Sequence, residues 1–356
     1  MFVNKNILLI SPEPWNHIFV SKHHYATHLA KLGNKVFFLN PPTKSNAVLD
    51  TEFENVYSVT YTGFVKGLRF FPGSIQKYWI RKKFNFLQDL CGVKFDIIWS
   101  FDNSVFFDFS ALPKKILKIS HIVDYSQDFQ TKRAAKTADF NFCTSEKILE
   151  RLQKYNSNSF KIHHGYHMTK VKLVKLPGHQ EIKAVYAGNL SIQFIDWTTL
   201  LLCVKKNPHI DFCFIGPGAD SIFIEEYINE LSKMENCYFI NQLSSEDLQS
   251  HYASADLLLL CYKEGFQSQL ANPHKVMEYL GSGKIVVATP TEEYRTNNLL
   301  VAMPLLNSEY PELLRNVSEN LDTYNNPILF KQRIAFALEN TYENQIQKIE
   351  NIISSK

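Results

Sequence analysis

The chain has 356 residues, too many for one ordinary core and a length that suits two domains. Hydrophobic residues make up 45% and aromatic residues 13%, as in a well-packed globular protein. No run of 18 apolar residues occurs, which excludes a membrane-spanning helix. A strand pattern begins at Asn6 without a cleavable signal before it, and the six cysteines stand singly, so we expect a cytoplasmic protein with reduced thiols.

The net charge of +3 conceals two halves of opposite sign. Residues 1–175 contain 25 Lys and Arg against 13 Asp and Glu, whereas residues 176–356 contain 13 against 22. The basic half is either solvated surface or a surface that attracts an anionic membrane or an acidic acceptor. Nucleic acid is not expected as a partner, because no recognition module is present and the aromatic residues follow core patterns.

Short apolar strands alternate with helical stretches in the first half, which is the α/β pattern. The predicted strands lie near 6–10, 35–39, 55–61, 95–100, 116–121, 139–143 and 160–163, and the predicted helices near 21–32, 74–91, 129–137 and 145–155.

A Pro-Gly turn at 177–178 marks a linker, after which the alternation begins again. The predicted strands of this half lie near 183–188, 210–215, 238–241, 256–262 and 285–288, with helices near 194–206, 221–233, 245–253 and 273–282. We predict two doubly wound, Rossmann-like domains, residues 1–172 and 180–334. Ligands of such sheets bind at the carboxyl ends of strands, so the site is expected in a cleft between the domains.

The C-terminal tail has a helical pattern from about Ile328 to Ile353, and we predict a single helix there. Its last part, about 335–356, is expected to cross back and pack on the first domain.

The most informative segment runs from Asn272 to Thr289. Pro273 suits the first turn of a helix, because its missing N–H is not needed there, and Gly283 suits the end. Lys275 and Glu278 are three residues apart and therefore share a helix face at an exposed N-terminus. The cation suits a phosphate and the carboxylate suits ribose hydroxyls. This helix predicts a grip for a nucleoside diphosphate.

The segment from Asn272 to Val287 resembles the donor-site signature of the retaining nucleotide-sugar glycosyltransferases of family 4, also called group 1, which have the GT-B fold. Weaker pieces resemble the same family, and the pattern is similar to enzymes of bacterial surface polysaccharide assembly. They are Tyr186–Leu190, Phe214–Gly218, Tyr252–Leu259, Glu339–Glu343, Ser21–His24 and Cys143–Glu146.

The resemblance implies roles for residues that match the family pattern. Glu278 would hold the donor ribose. Lys275 would be a catalytic residue that contacts the donor diphosphate, and Gly188 would let the backbone approach the phosphate. The donor site would also include the following residues: Asn272, Pro273, Glu264 and Arg295.

Two departures from the family pattern stand out. Leu270 replaces the first of two glutamates separated by seven residues, and Glu264 lies fourteen residues before Glu278 instead. The usual Arg and Lys after Gly188 are absent, and Ser191, Gln193 and Asp196 stand in that region.

A nucleotide diphosphate leaving group mainly needs charge stabilisation, which cations and helix ends supply. No Asp-x-Asp motif occurs, so neither a metal nor another cofactor is expected. In the first half, His17 and Asp124 are candidate catalytic residues, because both lie in loops that follow strands. The run from His163 to His167 lacks metal-ligand spacing and is not interpreted as a metal site.

We therefore expect an enzyme that moves a sugar from a nucleotide-diphosphate sugar to a saccharide or polyprenol-linked acceptor. Contact with the inner face of an anionic membrane through the basic half is a further expectation. Two alternatives stay open: a catalytically silent binding protein of the same fold, and a sugar-nucleotide epimerase. The missing glutamate and cation pair favour the first alternative, and the second would turn over the donor without an acceptor.

Overall fold

The structure is a computed structural model that describes residues 2–127, 129–266, 272–295 and 300–356. The chain forms two compact units. The first extends to Gly165 and also includes the C-terminal segment Tyr342–Lys356, and the second is Tyr166–Thr341.

The first unit is built on one sheet, whose strands are β1 (Asn6–Ile10), β2 (Lys35–Leu39), β3 (Ala47–Asp50), β4 (Val56–Thr60), β5 (Ile97–Ser100), β6 (Leu117–Ile122), β7 (Phe140–Cys143) and β8 (Ser159–Lys161). Their order is β3-β4-β2-β1-β5-β6-β7-β8. All neighbours are parallel except β3, an antiparallel edge strand that the sequence pattern did not predict. The central strands are buried on both faces, which explains their continuous apolar runs.

Five helices of the described residues accompany this sheet: α1 (Ser21–Lys31), α2 (Gly73–Cys91), α3 (Thr131–Thr137), α4 (Glu146–Gln153) and α12 (Tyr342–Ser354). Helix α2 ends where Gly92 adopts φ +66°, a left-handed conformation that glycine tolerates. Helix α4 begins where the Ser145 hydroxyl accepts a hydrogen bond from Ile148 N.

The strands of the second unit are β9 (Ile182–Ala187), β10 (Ile210–Ile215), β11 (Cys237–Ile240), β12 (Leu257–Leu260), β13 (Ile285–Ala288) and β14 (Val301–Ala302). All are parallel, in the order β11-β10-β9-β12-β13-β14, the doubly wound arrangement. Successive strands are added on one side of β9 as far as β11 and on its other side from β12 onward, so the carboxyl end of β9 lies at the topological switch point. The predicted α/β class with two doubly wound sheets is confirmed.

The helices of the second unit are α5 (Trp197–Lys206), α6 (Glu225–Leu231), α7 (Ser245–Ser254), α8 (Lys275–Gly281), α9 (Tyr310–Glu319), α10 (Leu321–Tyr324) and α11 (Pro327–Glu339). Side-chain oxygens of Asp196 and Ser244 accept backbone hydrogen bonds at the starts of α5 and α7. Such caps explain why α5 begins later than predicted.

The C-terminal tail is two helices, and the prediction of one helix over residues 328–353 is wrong. The break lies at Asn340, whose φ of −115° and ψ of 28° leave the helical region. Its backbone carbonyl accepts a hydrogen bond from Tyr166 N at 2.8 Å, so it is turned away from a continuing helix. The amphipathic period alone did not reveal this partner.

The division between the units also lies elsewhere than the predicted boundaries. Residues 166–172 belong to the second unit, because Thr169 N and Lys172 N donate hydrogen bonds to Gln249 and Ser250 of α7. Residues 335–341 belong to the second unit as well. Helix α12 lies in the first unit, where the Tyr342 ring stacks on His24 with centroids 4.8 Å apart.

Among the residues that the structure describes, no helix combines the length and the apolar character that crossing a bilayer requires.

Candidate functional site

Helix α8 is fixed to the end of β9 in the second unit. Its Tyr279 hydroxyl accepts a hydrogen bond from Ala187 N at 3.0 Å. The helix ends before Gly283, which has φ +78° and lies so close to the Phe330 ring that a Cβ would come within 2.6 Å of it. Only glycine therefore fits this C-terminal turn. These two contacts set the first turn of α8 against the carboxyl end of the central strand.

The Lys275 side chain lies over the end of β9. Its Nζ donates a hydrogen bond to the Ala187 carbonyl at 2.7 Å and lies 3.4 Å from the Tyr186 hydroxyl. The same ammonium is 4.5 Å from the Tyr186 ring centroid, a cation–π distance. Burial lowers the pKa of Lys275 to about 8, and the charge of Glu278 opposes that shift. The lysine is thus held at the switch point by contacts with the end of β9.

Gly188 makes room for this ammonium. It has φ +148°, and a Cβ at this position would lie 2.6 Å from Lys275 Nζ. Gly216, at the end of the adjacent strand, approaches so closely that a Cβ on it would lie 2.0 Å from the Gly188 carbonyl oxygen. Two glycines at neighbouring strand ends therefore let the lysine and the backbone pack closely at the switch point.

Glu278 lies one helical turn after Lys275 and is half-buried, with 20% of its side chain exposed. Burial raises the pKa of Glu278 to about 7, and the positive charge of Lys275 opposes the shift. Its Oε1 is 3.9 Å from His274 Nδ1. A cation and a carboxylate with perturbed pKa values thus share one helix face, a combination common at functional sites.

The other predicted donor-site residues have different surroundings. Asn272 is buried, and its Oδ1 accepts a hydrogen bond from the Tyr294 hydroxyl at 3.3 Å. Pro273 is buried and its carbonyl accepts from Val276 N, so both residues shape the entry to α8.

Glu264 and Arg295 are engaged away from the Lys275 ammonium. The Glu264 Oε1 accepts a hydrogen bond from Asn307 N at 2.8 Å, which ties two loops together. Arg295 is exposed beside a cavity of about 270 Å³ lined by Pro290, Met303, Pro304 and Leu305.

The region where the family pattern has two cations carries structural contacts instead. Ser191 N donates to Asn189 Oδ1, and the Asp196 carboxylate caps α5 while accepting from Asn307 Nδ2 at 2.8 Å. Gln193 is exposed. Leu270, the other departure from the pattern, lies outside the described residues.

His17 and Asp124 lie in the first unit, and both are exposed. His17 Nδ1 is 2.8 Å from the Ile18 carbonyl oxygen. Surrounding protein raises the pKa of Asp124, and the nearby Lys22 ammonium opposes this shift. Their predicted catalytic roles stay predictions.

Sequence reasoning missed the aromatic surroundings of the lysine. Tyr186 supplies a ring face and a hydroxyl, and the Tyr262 ring centroid is 5.7 Å from the same ammonium. The sequence held one signal for this contact. Tyr186 stands two residues before Gly188, and residues at alternate positions of a strand lie on the same face. Within the described part of the chain, no group of three His, Cys, Asp or Glu residues is arranged to hold a metal ion.

Comparisons with known proteins agree with this geometry. Residues 181–296 match the family model described as glycosyl transferases group 1, which includes Gly188, Lys275 and Glu278. A search of curated proteins gives no sequence match.

Solved structures with a similar fold cover nearly the whole chain at low identity. Sucrose-phosphate synthase from Thermosynechococcus elongatus has a TM-score of 0.70 at 13% identity, over 99% of both chains. Anabaena HepE, in complex with UDP and glucose, has 0.67 at 12%, over 99% of this chain and 100% of that one. An E. coli trehalose-6-phosphate structure bound with UDP-2-fluoro glucose has 0.64 at 11%, over 98% of both.

The two doubly wound sheets and these likenesses show that the fold is GT-B. The family match covers residues 181–296, about a third of the chain, and includes the strand ends and the helix of the site, so this part of the chain is similar to group 1 glycosyltransferases.

Proposed function

We propose that the protein transfers a sugar from a nucleoside-diphosphate sugar to a saccharide or polyprenol-linked acceptor in bacterial polysaccharide assembly. Lys275 and Glu278 bind the donor in the second unit, and the reaction proceeds with retention and without a metal. The enzyme acts in the cytoplasm.

One observation carries this proposal. The Lys275 ammonium is held 2.7 Å from the Ala187 carbonyl at the carboxyl end of β9, in the space that the missing side chain of Gly188 leaves for it. An ammonium has three N–H donors, and the Ala187 carbonyl and the Tyr186 hydroxyl take two of them. A diphosphate over Gly188 would accept from the third. Glu278, one turn along, would accept hydrogen bonds from the ribose hydroxyls.

This arrangement supports departure of the nucleoside diphosphate. Negative charge grows on the phosphate oxygen as the bond to the anomeric carbon breaks, and a fixed cation stabilises that charge. The lysine is already positioned and poorly solvated, so little reorganisation is needed. Transfer with retention requires no strong base beside the anomeric carbon, and the acceptor proton can pass to the departing phosphate.

Thermal unfolding with and without nucleotides tests the binding site, because a ligand that binds only the folded state raises the Tm by mass action. UDP and UDP-sugars are the first probes, since two similar structures carry UDP or a UDP-sugar. Glu278→Ala should weaken UDP binding by about 10- to 100-fold, the value of hydrogen bonds to a charged group.

Glu312→Ala, which removes an exposed carboxylate on α9 of the same unit, is the matched control and should bind UDP as the parent does. Equal affinities for all three proteins would contradict the proposed donor site.

A catalytically silent binding protein is the second candidate, and the structural engagement of Ser191 and Asp196 favours it. Nucleotide binding does not separate the two functions. Release of UDP from a UDP-sugar by the purified protein, by hydrolysis or by transfer to an acceptor, would rule out the silent protein.

A further inference from the structure

A basic stretch of the chain lies in the first unit. Residues 55–88 contain six Lys and Arg and no Asp or Glu. They include helix α2 as far as Gln88, one residue before the exposed Asp89, and the segment that leads into the helix. A long acid-free stretch on one surface creates a field that favours anionic partners.

Helix α2 turns apolar side chains outward as well as inward. Its buried face, which includes Ile80 and Phe84, packs into the unit. On the opposite face lie Ile75, Tyr78 and Lys82, at helical spacing of three and four. Ile75 is 41% exposed and Tyr78 is 60% exposed. Exposed apolar side chains in register along a helix indicate a contact surface rather than scattered exposure.

The segment before α2 continues this surface. Phe70 is 77% exposed, which is unusual for a phenylalanine, and Phe71 is 36% exposed. The Arg69 guanidinium lies 4.6 Å from the Phe70 ring centroid and 5.1 Å from that of Phe129. On α2, the Lys82 ammonium is similarly 4.9 Å from the Trp79 ring centroid. Cations are thus interleaved with exposed aromatic rings.

We propose that Phe70, Phe71, Ile75, Tyr78 and Lys82, here called the α2 surface, dock the protein on an anionic lipid bilayer. Aromatic rings partition into the headgroup region, while lysine and arginine reach anionic headgroups with their charged ends. Each basic residue near such a surface strengthens binding roughly fivefold. Docking of this kind places a helix on the bilayer without spanning it.

A second exposed apolar pair on the chain shows why charge decides the occupant. Ile222 and Phe223 of the second unit are 78% and 70% exposed. Glu225, Glu226 and Glu230 follow them, so an anionic surface would repel this pair. Exposure is similar in the two places, and only the α2 surface has the complementary charge.

Flotation with vesicles tests the proposal on the full chain. The vesicles are phosphatidylcholine with about a third phosphatidylglycerol, compared with phosphatidylcholine alone. The parent should float with the anionic vesicles, and the fraction of protein that floats should fall as the salt concentration is raised, because screening weakens the electrostatic attraction. Phe70→Ser/Tyr78→Ser should lose at least tenfold in vesicle affinity. Ile222→Ser/Phe223→Ser, which removes a pair of similar exposure, should float as the parent does.

No nucleotide or acceptor is present in this assay, so its outcome is independent of the proposed transfer. Cooperative thermal unfolding of the Phe70→Ser/Tyr78→Ser protein with a Tm close to that of the parent would show that the variant is folded. The proposal is overturned if the parent stays unbound at low salt, or if both double variants lose binding equally. It is also overturned if light scattering shows a dimer that the Phe70→Ser/Tyr78→Ser change dissociates, since the surface would then bind a second copy.

Discussion

Each unit places a lysine in the first turn of a helix, but the two lysines are neutralised differently. A cation at a helix start is electrostatically unfavourable, so each needs a compensating partner. In α1, the buried Lys22 ammonium lies 2.8 Å from Glu13 Oε2. In α8, the Lys275 ammonium contacts a carbonyl and a tyrosine, and none of the described carboxylate oxygens lies within 4.0 Å of it.

This difference distinguishes a structural lysine from one that is ready for a ligand. The charge of Lys22 is satisfied inside its unit, and its removal would strand a carboxylate. The charge of Lys275 is held in place but not neutralised, and the glycine beside it leaves room for the ammonium. An anionic substrate would supply the missing charge, which is the general condition for a binding lysine.

Lys275→Met should cause the largest loss of activity. Removing one preorganised charge from a developing oxyanion costs roughly 10²–10³ in kcat. The Tm without ligand should stay equal or rise, because a poorly solvated cation is removed and no buried carboxylate loses its ion pair. Steady-state transfer rates and thermal unfolding of the same protein measure both effects. A variant that kept its rate would place the diphosphate elsewhere.

Lys22→Met is the matched change in the first unit. It should lower the stability of the protein and leave UDP binding unchanged. Glu13 Oε2 is buried, and its ion pair with Lys22 would be lost. An unsatisfied buried group costs about 1–3 kcal/mol, which lowers the Tm by about 2–4 °C per kcal/mol. Unfolding midpoints should therefore fall while UDP affinity is retained. Loss of UDP affinity without loss of stability would show that the two lysines do not differ as described.

Gly188→Ala should have the next largest effect on UDP binding, because the new side chain would displace the Lys275 ammonium. The new Cβ would come within 2.6 Å of Lys275 Nζ, and alanine disfavours a φ of +148°. We expect about tenfold weaker UDP binding, as for a strain of order 1–3 kcal/mol.

Gly92→Ala is the control for backbone strain alone. Gly92 also has a positive φ, of +66°, but nothing lies within 4 Å of its missing Cβ. This protein should lose stability and keep its UDP affinity. If the two glycine variants bound UDP equally well, displacement of the lysine would be excluded as a cause.

Periodicity predicted most of the scaffold, since β1 and β2 begin and end where their apolar runs do. The start of α8 was predictable from Pro273 and the end from Gly283, because both residues restrict the backbone locally. The packing of the Lys275 ammonium against the Tyr186 ring was not predictable, since that contact joins residues far apart in the chain. The break at Asn340 depends on Tyr166 for the same reason. Local rules identify the helix, and only the tertiary structure shows what surrounds it.

The pH dependence of donor binding gives the smallest and sharpest test of the site. Lys275 must be protonated to bind a diphosphate, and its lowered pKa of about 8 means that affinity falls as pH rises through 8. Glu278 must be ionised to accept ribose hydrogen bonds, and its raised pKa of about 7 means that affinity falls as pH drops through 7. Titration calorimetry should therefore give a UDP affinity that follows a narrow bell-shaped pH profile with its maximum between these values, and the affinity should fall about tenfold per pH unit outside it.

Glu278→Gln should remove the acid limb of this profile and leave the alkaline limb. If the acid limb survived this change, the limb would report the titration of another group, and Glu278 would not be the carboxylate that binds the ribose beside Lys275.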